Sequence, residues 1–250
     1  MALHLVSGIL SVSKRELNLN VCLRGGMSFR WSSSSSDEAT TFRGVIGERV
    51  YALRQTADSD QVEYRVWSRD CGLEAKSVDA ELHDYFRLGE NLRELYADWS
   101  RRDPRFADKV ALYPDVLEGV RVLRLDPVEN LFSFICSSNN NIKRITQMVG
   151  NMCAHFGTPI GRVDHTDHFA FPTVDRLAEP DVELRLRKLN FGYRAKYIHQ
   201  AAVYIKQQQL DLFALRARPY GDVVHELVKL PGIGKKVKNS KNQVCAKIKE

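Results

Sequence analysis

A chain of 250 residues, 44% of them hydrophobic, can bury a substantial core as one large domain or two smaller ones. No apolar run approaches the roughly 18 residues a membrane helix needs, and the five cysteines (22, 71, 136, 153, 245) form no C-x-x-C pair and leave an odd count. That pattern argues against a disulfide framework or a zinc site and for a reducing compartment. The formal charge of +6, with a pI of about 9.1, sits at one end: residues 229–250 hold seven lysines and one acid, so residues 1–228 are net neutral. Such a cluster suits a polyanion, because nucleic-acid affinity scales with the phosphates neutralised, and charge alone suits a solvated tail as well.

The first fifteen residues, MALHLVSGILSVSKR, lack acids and contain serines, as a mitochondrial presequence does, yet they read equally as a first strand. ELNLNVCL (16–23) alternates polar and apolar positions, and TFRGVIGERVYALRQT (41–56) and QVEYRVWS (61–68) continue that period, punctuated by Gly47 and by Asp58-Ser59-Asp60. The serine run at 32–36 reads as a loop between strands. From Asp79 the period turns helical, with Leu82, Tyr85, Phe86, Leu92, Leu95 and Trp99 spaced as buried stripes. Residues 1–118 are therefore expected to form an antiparallel sheet domain with helices.

A helical unit is expected over 119–237. It opens at Asp126-Pro127-Val128-Glu129, with Asp as N-cap, Pro at the first helical position and Glu in the capping-box place. NLFSFICSS follows as a buried helix that NNN (139–141) breaks, and IKRITQMVGNMCAHF is a second helix stopped by Gly157. VELRLRKL and YRAKYIHQAAVYIKQQQ are further amphipathic helices around NFGY, and YGDVVHELVKL runs into LPGIG. Residues 238–250 are a lysine-rich tail. The fold class is α+β, an antiparallel sheet domain followed by an all-helical one.

A helix, L-P-G-I-G, then another helix is a hairpin pattern in which Gly232 and Gly234 permit strained angles and let backbone N–H groups approach a phosphate. The same turn also serves simply to reverse a chain. Lys236 lies two residues past Gly234 at the start of the second helix. The positive end of the helix dipole and Lys235 both disfavour its ammonium form, and a neutral lysine amine can form a Schiff base; the plainer reading is one more phosphate-pairing lysine. His165 and His168, flanked by Asp164 and Asp167, could suggest a metal pair, but their loop setting and lack of further ligands favour exposed polar residues, and no metal or other cofactor is expected.

DPVENLFSFICSSNNNIKRIT, LRKLNFGYRAKYI and LPGIGKKV, in this order, together with GGMSFRW near the start, closely resemble the eukaryotic 8-oxoguanine DNA glycosylases of the helix-hairpin-helix superfamily. The resemblance runs from about residue 15 to Val237. It implies a helical glycosylase core behind an N-terminal antiparallel domain, and a bifunctional glycosylase and abasic-site lyase of base-excision repair. It implies Lys236 as the catalytic lysine that attacks C1′ of the damaged nucleotide and forms the imine. Asn139 matches the residue that enters the space left by the flipped base, and Arg144 and Arg194 match the arginines that read the orphaned cytosine. Tyr193 matches the wedge that helps kink the duplex. Gly26 matches the glycine whose carbonyl accepts a hydrogen from N7 of 8-oxoguanine, a hydrogen that guanine lacks. The implied partner is double-stranded DNA carrying 8-oxoguanine opposite cytosine, or an abasic site. The protein is expected to be a monomer without a membrane partner, acting in the nucleus, with mitochondria as a second address.

After Val237 the resemblance stops. The family continues into a P-V-D loop whose aspartate helps activate the lysine, then adds further helices. KNSKNQVCAKIKE contains no aspartate, and Lys238 stands where the family has a small residue. The fold is accordingly expected to be incomplete at its C-terminus. Two classes stay open: the repair enzyme, or a catalytically impaired fragment that binds damaged DNA.

Overall fold

The computed structural model describes residues 3–35, 39–56 and 60–234. The chain folds as two compact units, Met1–Arg124 and Leu125–Glu250.

The N-terminal unit contains β1 (His4–Ser11), α1 (Leu19–Arg24), β2 (Ser32–Ser35), β3 (Ala39–Ile46), β4 (Arg49–Thr56), β5 (Gln61–Ser68), α2 (Ala75–Tyr85), α3 (Leu92–Arg102), α4 (Pro104–Leu112) and α5 (Pro114–Leu117). The strands form one antiparallel sheet in the order β1-β5-β4-β3-β2. In β5 the expected alternation is complete: Val62, Tyr64 and Val66 are buried while Gln61, Glu63 and Arg65 are exposed. β4 is central, and its run Val50-Tyr51-Ala52-Leu53 is buried without alternation. The Tyr51 hydroxyl donates to Glu81 Oε2 of α2 at 2.6 Å, and the same carboxylate pairs with Arg49. Burial and that carboxylate both push the phenol far above its usual range.

Two segments of this unit differ from the sequence reading. ELNLNVCL is not a strand: the side chain of Asn18 accepts from Val21 N and caps α1, whose buried residues Leu19, Cys22 and Leu23 follow helical spacing. The apolar alternation at 17, 19, 21 and 23 is coincidental with that spacing. The serine run is not a loop but contains β2, pairing Ser32–Ser35 with Arg43–Thr40 at the sheet edge. Exposed on both faces, it carries no hydrophobic period, and backbone pairing defines it. Of the expected helical stripes, Leu82, Tyr85, Phe86 and Leu92 are buried, whereas Leu95 is half-buried and Trp99 is 42% exposed, in an aromatic cluster with Tyr96 and Phe106.

Residues 119–124 belong to this first unit. Arg121, 5% exposed, donates to the carbonyls of Arg87 (2.6 Å), Glu90 (3.0 Å) and Glu16, and pairs with the Glu16 carboxylate. That carboxylate also accepts from Leu92 N and Arg93 N at 3.1 and 3.2 Å, serving the first turn of α3. A buried guanidinium with all these partners is a pin, not a binding group.

The second unit contains α6 (Pro127–Ser137), α7 (Ile142–Phe156), β6 (Pro159–Val163), β7 (Thr166–Phe169), α8 (Val174–Leu177), α9 (Val182–Lys188), α10 (Arg194–Gln207), a short 3-10 turn at Ala214–Ala217 and α11 (Tyr220–Leu227). α10 packs on α6, α8 and α9 through Ala195, Ile198, Ala201, Ala202 and Ile205, all buried, as are Leu131, Phe132, Ile135 and Cys136 of α6. Burying one such isoleucine contributes roughly 1.5–3 kcal/mol. The Asp126 carboxylate accepts from Val128 N (2.8 Å) and Glu129 N (3.0 Å), so α6 starts where Asp-Pro places it, and Gly157 ends α7. The unit is not all-helical as the sequence suggested: β6 and β7 form a two-stranded hairpin, too short to show a strand period, closed by Asp164 (φ 47°) and His165 (φ 64°). His168 lies on β7, and among the described residues no group of three His, Cys, Asp or Glu could hold a metal.

Candidate nucleic-acid interface

Three sequence segments meet around the start of α10. The first is the α6–α7 turn, where the three asparagines do three different things. Asn139 takes a left-handed backbone (φ 46°), which Asn tolerates better than most residues. Asn140 Nδ2 donates to Cys136 O at 2.9 Å and to Met148 Sδ at 3.3 Å, locking the end of α6 to α7. Asn141 Oδ1 accepts from Arg144 N at 3.0 Å and caps α7. Ser138 and Asn139 are exposed.

The second segment is the α9–α10 turn, with Asn190 (φ 63°) and Gly192 (φ 59°) on either side of fully buried Phe191. It delivers Tyr193 and Arg194 onto the first. The Tyr193 hydroxyl donates to Ser138 O at 3.1 Å. Arg194 donates to the same oxygen through Nε at 3.1 Å and through Nη2, and Nη2 also reaches Asn139 O at 3.0 Å. Its guanidinium lies 4.6 Å from the Tyr193 ring centroid, a cation–π contact. Arg194 is 3% exposed, Tyr193 48%. Arg144 is exposed, and its Nη2 lies 3.5 Å from Asn190 O, a long contact that leaves the side chain available.

The third segment is the hairpin after α11. Leu230 and Ile233 are buried, Ile233 N donates to Leu230 O at 3.1 Å, and Gly232 takes φ 86°. A Cβ at Gly232 would lie 2.7 Å from Cβ of Tyr197, so only glycine fits here, on backbone angle and on space alike. Gly234 has open space around it.

Asn139, Arg144, Tyr193 and Arg194 thus come together, and Gly232 reaches the same helix, α10. Gly26 belongs to the first unit, where it follows α1 with φ 71° and is half-buried. Lys236, its neighbour Lys235 and the 238–250 tail lie outside the described residues. Sequence reasoning missed Ser138, whose carbonyl organises the cluster and whose residue type carries no signal of it. It also missed Tyr197, which the i, i+4 spacing from Tyr193 could have indicated. Exposed Lys143, Lys188 and Lys196 flank these turns, so the local charge is cationic. Burial pushes the Cys136 thiol at the end of α6 up to about 12, which removes it as a thiolate nucleophile.

Two family matches divide the chain. Residues 9–131 match the 8-oxoguanine DNA glycosylase N-terminal domain, and residues 132–247 match the HhH-GPD superfamily of base excision DNA repair proteins. The N-glycosylase/DNA lyase OGG1 of Arabidopsis thaliana is 38% identical over 232 residues, 91% of this chain and 60% of that protein. The N-glycosylase/DNA lyase of Saccharomyces cerevisiae is 36% identical over 247 residues, 92% of this chain and 63% of that protein. The chain therefore spans about 60% of the length of these curated relatives. Among solved structures, the apo 8-oxoguanine glycosylase/lyase of Clostridium acetobutylicum superposes with a TM-score of 0.79 at 26% identity, over 99% of this chain and 79% of that one. The same bacterial protein in complex with double-stranded DNA containing cytosine opposite 8-oxoguanine gives 0.76 at 25% identity, over 99% and 77%. With sheet unit and helical unit each matched in turn, the chain belongs to the 8-oxoguanine DNA glycosylase family of the helix-hairpin-helix base-excision repair superfamily.

Proposed function

We propose that the chain acts in base-excision repair as a DNA glycosylase and abasic-site lyase, removing 8-oxoguanine paired with cytosine from duplex DNA. The observation that carries this reading is the convergence of Tyr193 and Arg194 on the Ser138 carbonyl, which sets an exposed ring and the Asn139 turn side by side. A flat ring beside a short polar turn suits a wedge and a plug for the gap a flipped nucleotide leaves. The activity of the two curated relatives, N-glycosylase/DNA lyase, agrees with it.

In this reading Arg144 and Arg194 face the orphaned cytosine with different freedom. Arg144 is exposed and its weak contact to Asn190 O is easily exchanged for a base edge. Arg194 spends Nε and Nη2 on the turn, which leaves Nη1, without a hydrogen bond among the described residues, as its donor to DNA. The carbonyl of Gly26 accepts the N7 hydrogen of 8-oxoguanine. Normal guanine has no hydrogen to offer and leaves that acceptor unpaired on binding.

Lys236 is the proposed nucleophile. Its neutral amine attacks C1′, the glycosidic bond breaks with its electron pair leaving on the base, and the amine's proton is lost. Opening of the sugar at C1′–O4′ gives the iminium, which acidifies the C2′ hydrogen. Removal of that hydrogen expels the 3′ phosphate. The Gly232 and Gly234 turn presents backbone N–H groups to a phosphate nearby. The protein is proposed to work as a monomer in the nucleus.

The test is strand nicking of duplexes carrying 8-oxoguanine opposite each of the four bases. Cleavage opposite cytosine should lead clearly. Equal cleavage opposite all four bases, or none opposite any, overturns the proposal.

A further inference from the structure

We propose that Tyr197 is a positioning residue that fixes the spacing between the glycine hairpin and the Tyr193 ring; the proposal rests on the DNA-binding reading above and deepens it. Tyr197 of α10 stands four residues after Tyr193, the N-cap residue of that helix with helical backbone angles (φ −65°, ψ −20°), so both side chains leave the same side. At its root it carries the hairpin: the missing Cβ of Gly232 would meet Tyr197 Cβ at 2.7 Å and Cγ at 2.9 Å. At its tip it meets the wedge: the Tyr197 and Tyr193 rings pack edge to face, with centroids 6.0 Å apart and planes at 75°. Tyr193 is itself held by Ser138 O. One side chain therefore touches both the hairpin backbone and the exposed ring.

What Tyr197 supplies is shape. Its hydroxyl makes no hydrogen bond among the described residues, and at 37% exposure it is not filling a core. If the hairpin N–H groups grip one phosphate while Tyr193 enters between bases, the distance between grip and wedge is the thickness of the Tyr197 side chain. A duplex engaged at both points must then bend by a set amount, whereas undamaged duplex held by the phosphate grip alone need not.

The experiment uses the 250-residue chain and its Tyr197→Phe, Tyr197→Leu and Tyr197→Ala variants. A duplex carrying a tetrahydrofuran abasic analogue opposite cytosine, labelled at its ends for energy transfer, reports bending. Anisotropy titration reports affinity for it and for undamaged duplex, and far-UV circular dichroism melts report folding. Tyr197→Phe keeps both contacts and should bend and discriminate like wild type. Tyr197→Leu keeps the root that carries Gly232 but loses the ring edge. It should melt like wild type and bind undamaged duplex normally, while its preference for the lesion falls roughly three- to tenfold and the bend decreases. Tyr197→Ala should lose at least as much; should it fail to fold, the leucine and phenylalanine pair still decides. A leucine variant that bends and discriminates like wild type overturns the spacer role while leaving the glycosylase reading intact. Loss in Tyr197→Phe equal to that in Tyr197→Leu also overturns it, because the hydroxyl would then be the active part. A wild-type chain with no preference for the lesion defeats the glycosylase reading, and the spacer role with it.

Discussion

Arg194 Nε donates to the carbonyl of Ser138 at 3.1 Å across 56 residues of sequence, joining the turn before α10 to the turn after α6. The same guanidinium reaches Asn139 O at 3.0 Å. A residue that the resemblance casts as a reader of DNA is therefore also the rivet of the surface that would do the reading.

That dual use separates the two arginines. Arg194→Ala strips the Ser138 and Asn139 carbonyls of a charged donor and should cost about 2–3 kcal/mol, since hydrogen bonds to charged groups contribute more than neutral ones. At this size the helical unit's melting temperature should then fall by roughly 4–10 °C. Arg194→Lys should rescue little, because an ammonium cannot span two carbonyls as a planar fork does. Arg144→Ala should leave the melting temperature nearly unchanged, yet reduce preference for cytosine opposite the lesion. Thermal melts and opposite-base nicking assays on both variants check the contrast; equal melting of Arg194→Ala and wild type would contradict the rivet.

The cap of α6 gives a simpler expectation. Asp126→Ala removes the acceptor for Val128 N and Glu129 N and should destabilise the helical unit by about 1 kcal/mol. Asp126→Asn, which keeps an acceptor in place, should lose much less. Urea denaturation of the two variants measures the difference.

Much of the fold was legible from the chain because its signals are local. Asp126-Pro127 starts α6 and Gly157 stops α7 where side-chain chemistry demands. β5 reads directly because one of its faces is buried and the other wet. β2 was not legible, because serines that pair through backbone at an exposed edge have no pattern to offer. α1 was not legible because its apolar residues also fit period two, and what decides for helix is the local cap in which the Asn18 side chain accepts from Val21 N. In the candidate site the individual residues were visible by resemblance, but the shared Ser138 carbonyl was not. A backbone oxygen leaves no trace in sequence.

Thiol chemistry supplies a pH prediction. Burial raises Cys136 to about 12 and Cys22 to about 11, above the ordinary thiol value of 9.0. A raised folded pKa means that the native state keeps its proton where the unfolded chain has lost it. The associated stability is thus fully present below about pH 9 and declines as pH rises from there toward 11 and 12. Urea midpoints should fall steadily above about pH 9, and replacing both residues with alanine should flatten that fall. In the native protein at about pH 8, exposed Cys71 should alkylate rapidly while Cys22 and Cys136 stay unmodified. Rapid native alkylation of Cys136 would contradict the assignment.

Whether Lys236 is the amine that forms an imine with the sugar is tested most directly by borohydride trapping on duplex DNA bearing an abasic site opposite cytosine. The expected result is a stable covalent adduct with the 250-residue chain, and its loss in Lys236→Gln while duplex affinity stays within about twofold, since one phosphate contact more or less changes binding modestly. No adduct with the wild-type chain, or equal adduct with Lys236→Gln, would contradict it; the second result would assign the trapping to the other lysines of residues 229–250.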